Sequence, residues 1–197
     1  MSDPETSPLT EPASLGNTIT VTVLLFLVAV IVGWIGTVHD PEIGNELLQM
    51  FQREIAGQIT ISDPFNMCIN IFANNLDACI LLFLGGASFG IITMVILSLN
   101  GIVIGAVTEI ISKGHSAIFI AAAILPHGIF EIPAFIIASS LGFLMGQSLI
   151  AEWYGTADSA VDAAHLARRF LLFVIPLIAV AAVVEAFITP VIIQIVA

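Results

Sequence analysis

The chain alternates long uncharged apolar runs with short polar connections. The first run, Thr18 to Thr37, contains no charged residue. It is roughly 20 residues long, which as a helix crosses a hydrocarbon core of about 30 Å. Trp34, near its end, is the kind of side chain that sits at a membrane–water boundary. Residues 1–17 before it are polar, with Pro4, Pro8 and Pro12 among Ser, Thr and Glu, and read as a disordered tail. They lack the basic start of a signal peptide, so the first run reads as a retained helix. Residues 18–197 read as a single membrane domain.

Residues 38–66 change the pattern. Asp40-Pro41-Glu42 looks like a helix start, and Ile43, Leu47, Leu48, Phe51 and Ile55 recur at helical spacing among Glu46, Gln49, Gln52 and Glu54. That predicts an amphipathic interfacial helix, ended by Asp63-Pro64. A second span is expected from Ile69 to Leu99, with Asn74, Asn75 and Asp77 near its start and the Asn100-Gly101 pair as a turn. Residues 102–111 and 116–125 are apolar but short. They admit one imperfect span or a re-entrant pair of half-helices, the latter only where protein or water covers the broken backbone. A further span runs from His127 to Ile150, with Trp153-Tyr154 as its aromatic boundary, and a last one from Phe170 to Val196. The expected fold is all-α: a polytopic integral membrane helix bundle of about five transmembrane helices, or four plus a re-entrant pair.

Composition agrees with this reading. The 197 residues are 58% hydrophobic and 10% charged, with mean hydropathy +1.09, whereas soluble domains carry about 25% charged residues. Lipid is the solvent that suits the surplus apolar surface, so the bilayer is the first expected partner. The net charge is −11 with only four Lys and Arg, which argues against nucleic acid as a partner and against a polybasic lipid-binding patch. Arg168-Arg169 favour a cytoplasmic 155–169 loop, which with five spans places the N-terminus inside. Cys68 and Cys79 are not at metal-finger spacing and read as small apolar residues.

Three glycine pairs recur at four-residue spacing: Gly86 with Gly90, Gly101 with Gly105, and Gly142 with Gly146. Each would present one smooth helix face to another backbone, either within the bundle or across a homodimer seam. The candidate chemistry lies in Pro126-His127-Gly128-Ile129-Phe130-Glu131-Ile132-Pro133. His127 and Glu131 are one helical turn apart and share a face, and ionisable groups in a span should face protein or water. Pro126 suits a helix start, and Pro133 would leave the carbonyl near Ile129 without its helical donor. The last span adds Glu185, followed by Thr189 and Pro190, with Pro190 releasing the Ala186 carbonyl.

Three roles stay open for His127, Glu131 and Glu185: a structural polar clasp, a proton or cation site in a transport path, and a metal site, although His-x-x-x-Glu is a weak metal pattern. Glu109 with Lys113 reads as a helical ion pair. There is no nucleophile constellation and no phosphate-binding Gly-Lys-Ser or Gly-Lys-Thr, so no catalytic residue, cofactor or ATPase is expected.

These segments resemble a known family. Pro126-His127-Gly128 with Glu131 and Pro133, together with Asn100-Gly101 and Glu185-Ala186 followed by Ile188-Thr189-Pro190, look like the signature of the stage II sporulation protein M family and its archaeal relatives, over about residues 66–195. The resemblance implies a multi-pass cell-membrane protein without an enzymatic domain. It also marks His127, Gly128, Glu131, Pro133, Glu185 and Pro190 as signature residues. The family's namesake works with cell-wall hydrolases during engulfment, which implies a scaffold that recruits other membrane or envelope proteins, with self-association as a further option. The alternative is a proton- or cation-coupled channel or secondary transporter using the buried His and Glu. The acidity and scarcity of Lys fit an archaeal source.

Overall fold

A computed structural model describes residues 14–42, 44, 46, 49, 63–114 and 116–196, without the side chains of Ala123, Ile124, His127 and Val196. Among them every regular element is helical: α1 Leu15–His39, α2 Pro64–Leu84 with a 3-10 turn Gly85–Ser88, α3 Ile91–Ser112, α4 Ala117–Trp153 and α5 Ser159–Arg169. From α5 the chain continues through a π-helical segment Phe170–Val174 into α6 Ile175–Val183, then through a second π-helical segment Val184–Ile188 into α7 Thr189–Val196. Five stretches are long and apolar enough to cross a membrane: Leu15–His39, Pro64–Ser88, Ile91–Ser112, Gly128–Trp153 and Ser159–Ile195.

The first span matches its expected position but starts earlier. Ser14 caps α1 by accepting a 3.3 Å hydrogen bond from the Asn17 N–H, so residues 14–17 belong to the helix rather than to a tail. Residues 1–13 lie outside the described residues, as does most of the expected amphipathic helix, including Ile43, Leu47, Leu48, Phe51 and Ile55.

The second span is where the sequence reading departs most from the fold. The run 69–99 is two helices, broken at Phe89 (φ 58°) and Gly90 (φ 85°), both in the left-handed region that ends a helix. Ser88 holds the break together: its hydroxyl donates to the Gly85 carbonyl (2.6 Å) and accepts from the Ile92 N–H (2.9 Å). Thr93, fully buried, donates to the Leu82 carbonyl at 2.8 Å and ties the start of α3 to the end of α2. The Asn100-Gly101 turn does not form. Both residues lie inside α3, and Asn100 Nδ2 donates to the Ile96 carbonyl at 2.9 Å.

The 102–125 question resolves as neither option. Residues 102–112 complete α3, and 117–125 open the 37-residue α4. Ser116 caps α4, accepting from the Phe119 N–H at 3.3 Å, so Pro126 is inside the helix and not at its start.

Helix α4 is the centre of the bundle, touching α1, α2, α3, α5, α6 and α7, while α1 and α3 form the closest pair. Leu82, Leu97, Ala134, Leu141, Val174 and Ile178 meet in one core, and the Phe83 and Phe170 rings stack with centroids 5.4 Å apart. Small residues set the α1–α3 distance: a methyl group at Gly33 would strike the Ile102 backbone, and one at Gly105 the Val30 carbonyl. Gly142 and Gly146 do the same for α4, against the Leu82 carbonyl and the Phe89 backbone. Gly86 faces the Gly142 carbonyl, but Gly86 and Gly90 do not share a helix face because Gly86 lies in the 3-10 turn that ends at Ser88, between them.

Large apolar side chains such as Val21, Leu24, Val28, Ile31 and Val32 point outward, as a bilayer-embedded surface requires. Alternating crossings put the N-terminus of α1, the 85–90 turn and the Arg168-Arg169 pair at one end. The starts of α2 and α4 lie at the other.

Candidate functional site

The two acids singled out in the sequence come together. Glu131 lies on α4, between the interior prolines Pro126 and Pro133. Both prolines lack an N–H, so the carbonyls one turn earlier lose a helical donor, yet the helix continues because an ended backbone in lipid would lose more. Glu185 lies in the π-helical segment Val184–Ile188. There the Thr189 N–H goes to the Val184 carbonyl, and the Thr189 hydroxyl reaches the same carbonyl at 3.3 Å. The α-helical register would have given that N–H to Glu185, and Pro190 offers none. The expected effect of Pro190 on Ala186 is thus joined by a register shift at the acid itself.

Glu131 and Glu185 are both half-buried, and their carboxylates are within electrostatic reach of each other. Glu131 is also within reach of Cys79 on α2, which is fully buried. Three helical elements, α2, α4 and the π segment, therefore converge here. Two like charges cost most where the dielectric is low, so this arrangement calls for a proton, a cation or hydrogen-bond donors between the carboxylates. Buried Ala134, Ala182 and Ala186 occupy the neighbouring turns of the same helices.

The remaining sequence candidates distribute as follows. His127 is in α4 one turn before Glu131, and its side chain lies outside the described residues. Gly128 is buried on the same helix, and Thr189 is buried beside Pro190. Asn100 is elsewhere, bonded within α3. Among the described residues, no three His, Cys, Asp or Glu side chains are grouped so as to hold a metal ion.

Two clefts open away from the acids. One of about 390 Å3 is lined by Ile31, Trp34, Ile35, Val38, His39 and Glu109. There the Trp34 indole N–H donates to Glu109, which also pairs with Lys113 at 3.6 Å, as the spacing predicts. The other, about 260 Å3, lies between Asn17, Thr18, Phe89 and Gln147. Glu131 and Glu185 line neither.

Sequence reasoning missed the α2 contribution. Asn75 and Cys79 are buried one turn apart on the inward face of α2, a polar-and-small pair at helical spacing inside an apolar run. It also placed Asp77 near the start of the second span. With the span running Pro64–Ser88, Asp77 is near the middle and exposed, with Asn74 and Asn66 exposed on the same helix.

Comparison with known proteins agrees with the signature segments. Residues 22–190 match the family described as Stage II sporulation protein M. An uncharacterised protein of Methanocaldococcus jannaschii is 31% identical over 176 residues, covering 87% of this chain and 93% of the relative. A second from the same organism is 28% identical over 175 residues, covering 84% and 78%. No solved structure matches. With the match reaching from α1 to Pro190, and so through both acids, the chain belongs to the stage II sporulation protein M family.

Proposed function

We propose that this protein is a non-enzymatic scaffold of the cell membrane, holding other membrane or envelope proteins against its bundle. The observation that carries this reading is the outward face of α2. Asp77 and Asn74 are exposed near the middle of a span, and Asn66 is exposed toward its start. Hydrocarbon cannot satisfy an acid or an amide, and polar side chains in spans serve as lateral glue between helices. The α1 face offers the contrast: Val21, Leu24, Val28 and Ile31 suit lipid.

The test is a photocrosslinking amino acid placed at Asn74 and, as control, at Val28, in membranes of cells making the full chain. Adducts with another membrane protein at Asn74 and none at Val28 support the scaffold. Identical adduct patterns at the two positions overturn it.

A second reading rests on a separate observation, the approach of Glu131 to Glu185 where proline and a π segment disturb the backbone. Such a pair suits a proton or a monovalent cation in a conduction path, and π segments are frequent at functional positions. Sealed proteoliposomes decide it. Proton or cation flux present in wild type and lost in Glu131→Gln favours conduction, and no flux from folded wild type removes these ions as cargo.

A further inference from the structure

We infer that the cleft beside the ends of α1 and α3 binds one anionic phospholipid, its phosphate held by Lys113 and one of its chains lying on Ile31, Ile35 and Val38. The site stands apart from α2 and from the acid pair, so it holds or fails independently of both readings of function.

The cleft lies on the outer surface of two membrane spans. Helix α1 ends at His39 and α3 at Ser112, at the same end of the bundle. The mouth of the cleft is therefore at the membrane boundary and its inner part is in hydrocarbon. Ile31, Ile35 and Val38 follow one another at four- and three-residue steps, which set them along one side of α1, and each stays about half exposed. A groove of this kind, open sideways to a bilayer, is filled by the solvent present there, which is lipid chain. Its volume of about 390 Å3 falls within the range of about 300–1,000 Å3 of small-molecule sites, so it can seat a length of chain.

Charge selects the headgroup. The Glu109 side chain is only 12% exposed. It accepts from the Trp34 indole N–H and pairs with Lys113, so its charge is answered within the protein. Lys113 differs. Its side chain is 50% exposed, and Nζ lies 3.6 Å from Glu109 Oε1, close enough for an ion pair but too long for a hydrogen bond. The three donors of the ammonium remain for an oxygen anion at the cleft mouth. His39, exposed on α1 and lining the same cleft, adds a ring N–H.

Among the described residues Lys113 is the one Lys or Arg at this end, since Arg168 and Arg169 close α5 at the other. One ammonium is not a polybasic patch that draws a whole surface onto anionic lipid. It serves one headgroup at one cleft. A phosphodiester that carries no ammonium of its own gains most from that cation, whereas the phosphate of a choline lipid already has one.

Trp34 lines the cleft and reports on its occupant. The experiment uses the full chain in phosphatidylcholine vesicles at neutral pH and about 0.15 M salt, where exposed charges more than about 8 Å away are largely screened. Trp153→Phe leaves Trp34 as the sole tryptophan, and Trp153 is highly exposed, so the change does not disturb packing. Brominated phosphatidylglycerol or brominated phosphatidylcholine replaces an increasing share of the lipid. Quenching of Trp34 then gives the relative binding constant of the two headgroups, with the fold of each variant verified by circular dichroism.

Trp34 should show a preference of about fivefold for phosphatidylglycerol, the scale of one ammonium near an anionic surface. Lys113→Gln should remove the preference and Lys113→Arg should keep it. A preference below about twofold, one that survives Lys113→Gln, or one lost in Lys113→Arg overturns the site. So does a Trp34 that neither lipid quenches, because the groove would then be closed to lipid.

Discussion

The hydroxyls of Thr22 and Ser140 meet 3.0 Å apart in the buried seam between α1 and α4. Thr22 also donates to the Thr18 carbonyl at 2.8 Å, and Ser140 reaches the Ile136 carbonyl at 2.7 Å. One polar contact thus links helices far apart in sequence while each hydroxyl stays anchored to its own backbone. Hydrogen bonds of this kind between membrane helices average about 0.6 kcal/mol. A double-mutant cycle of Thr22→Val and Ser140→Ala, read by reversible unfolding in bicelles, should return a coupling of about that size. Ser140→Leu should cost more, about 1–3 kcal/mol, because it overpacks a site with no space.

Glycines divide by what they face. A methyl at Gly105 meets the Val30 carbonyl and the Trp34 nitrogen, whereas one at Gly36 meets nothing. Gly105→Ala should therefore destabilise by about 1–3 kcal/mol as α1 and α3 are forced apart. Gly36→Ala should be neutral or stabilise by up to about 1 kcal/mol through helix propensity. Thermal unfolding in detergent separates the two, and equal melting of both variants would show that the α1–α3 contact does not control stability.

The acid pair makes a different prediction. Glu131→Gln keeps the shape and hydrogen-bonding capacity of the side chain and removes one of two like charges, so stability should stay within about 0.5 kcal/mol of wild type. If the acids clasp the helices, Glu131→Ala at this half-buried position should cost about 1–3 kcal/mol. The same ordering should hold at Glu185. If alanine and wild type unfold alike, the acids do not clasp the helices.

Helix α5 is tied down by a charged hydrogen bond. Ser148 Oγ on α4 donates to Asp162 Oδ2 at 2.5 Å, and Asp158 caps α5 by accepting from the Ala160 and Val161 N–H groups. Bonds to a charged group contribute about 1.5–3 kcal/mol. Ser148→Ala should accelerate amide hydrogen exchange across residues 159–169 with little change in α1, measurable by mass spectrometry.

The membrane character and the first span were legible because an uncharged apolar run has few other uses. The second span was misplaced for a physical reason. Asn100-Gly101 is turn chemistry in water, but inside a span the backbone must bond to itself, and the Asn100 amide settles on the Ile96 carbonyl instead. The real break, Phe89-Gly90, was hidden because Gly86 and Gly90 also read as a packing pair, and a left-handed phenylalanine leaves no mark in composition. Pro126 misled in the same way, since a proline suits a helix start and is also tolerated inside a span. Glu131 and Glu185 were found because charge in lipid is costly wherever it falls. Glu185 lies in a π segment, and no residue pattern announced it.

The length of α4 has a mechanical consequence. Its 37 residues rise about 55 Å at 1.5 Å each, against a hydrocarbon core of about 30 Å. An ordinary tilt of about 20° recovers only a small part of that excess, so α4 carries apolar turns beyond the hydrocarbon or deforms the lipid around it. Because the other spans pack on this one helix, a change in bilayer thickness that tilts α4 is felt as a torque on the whole bundle.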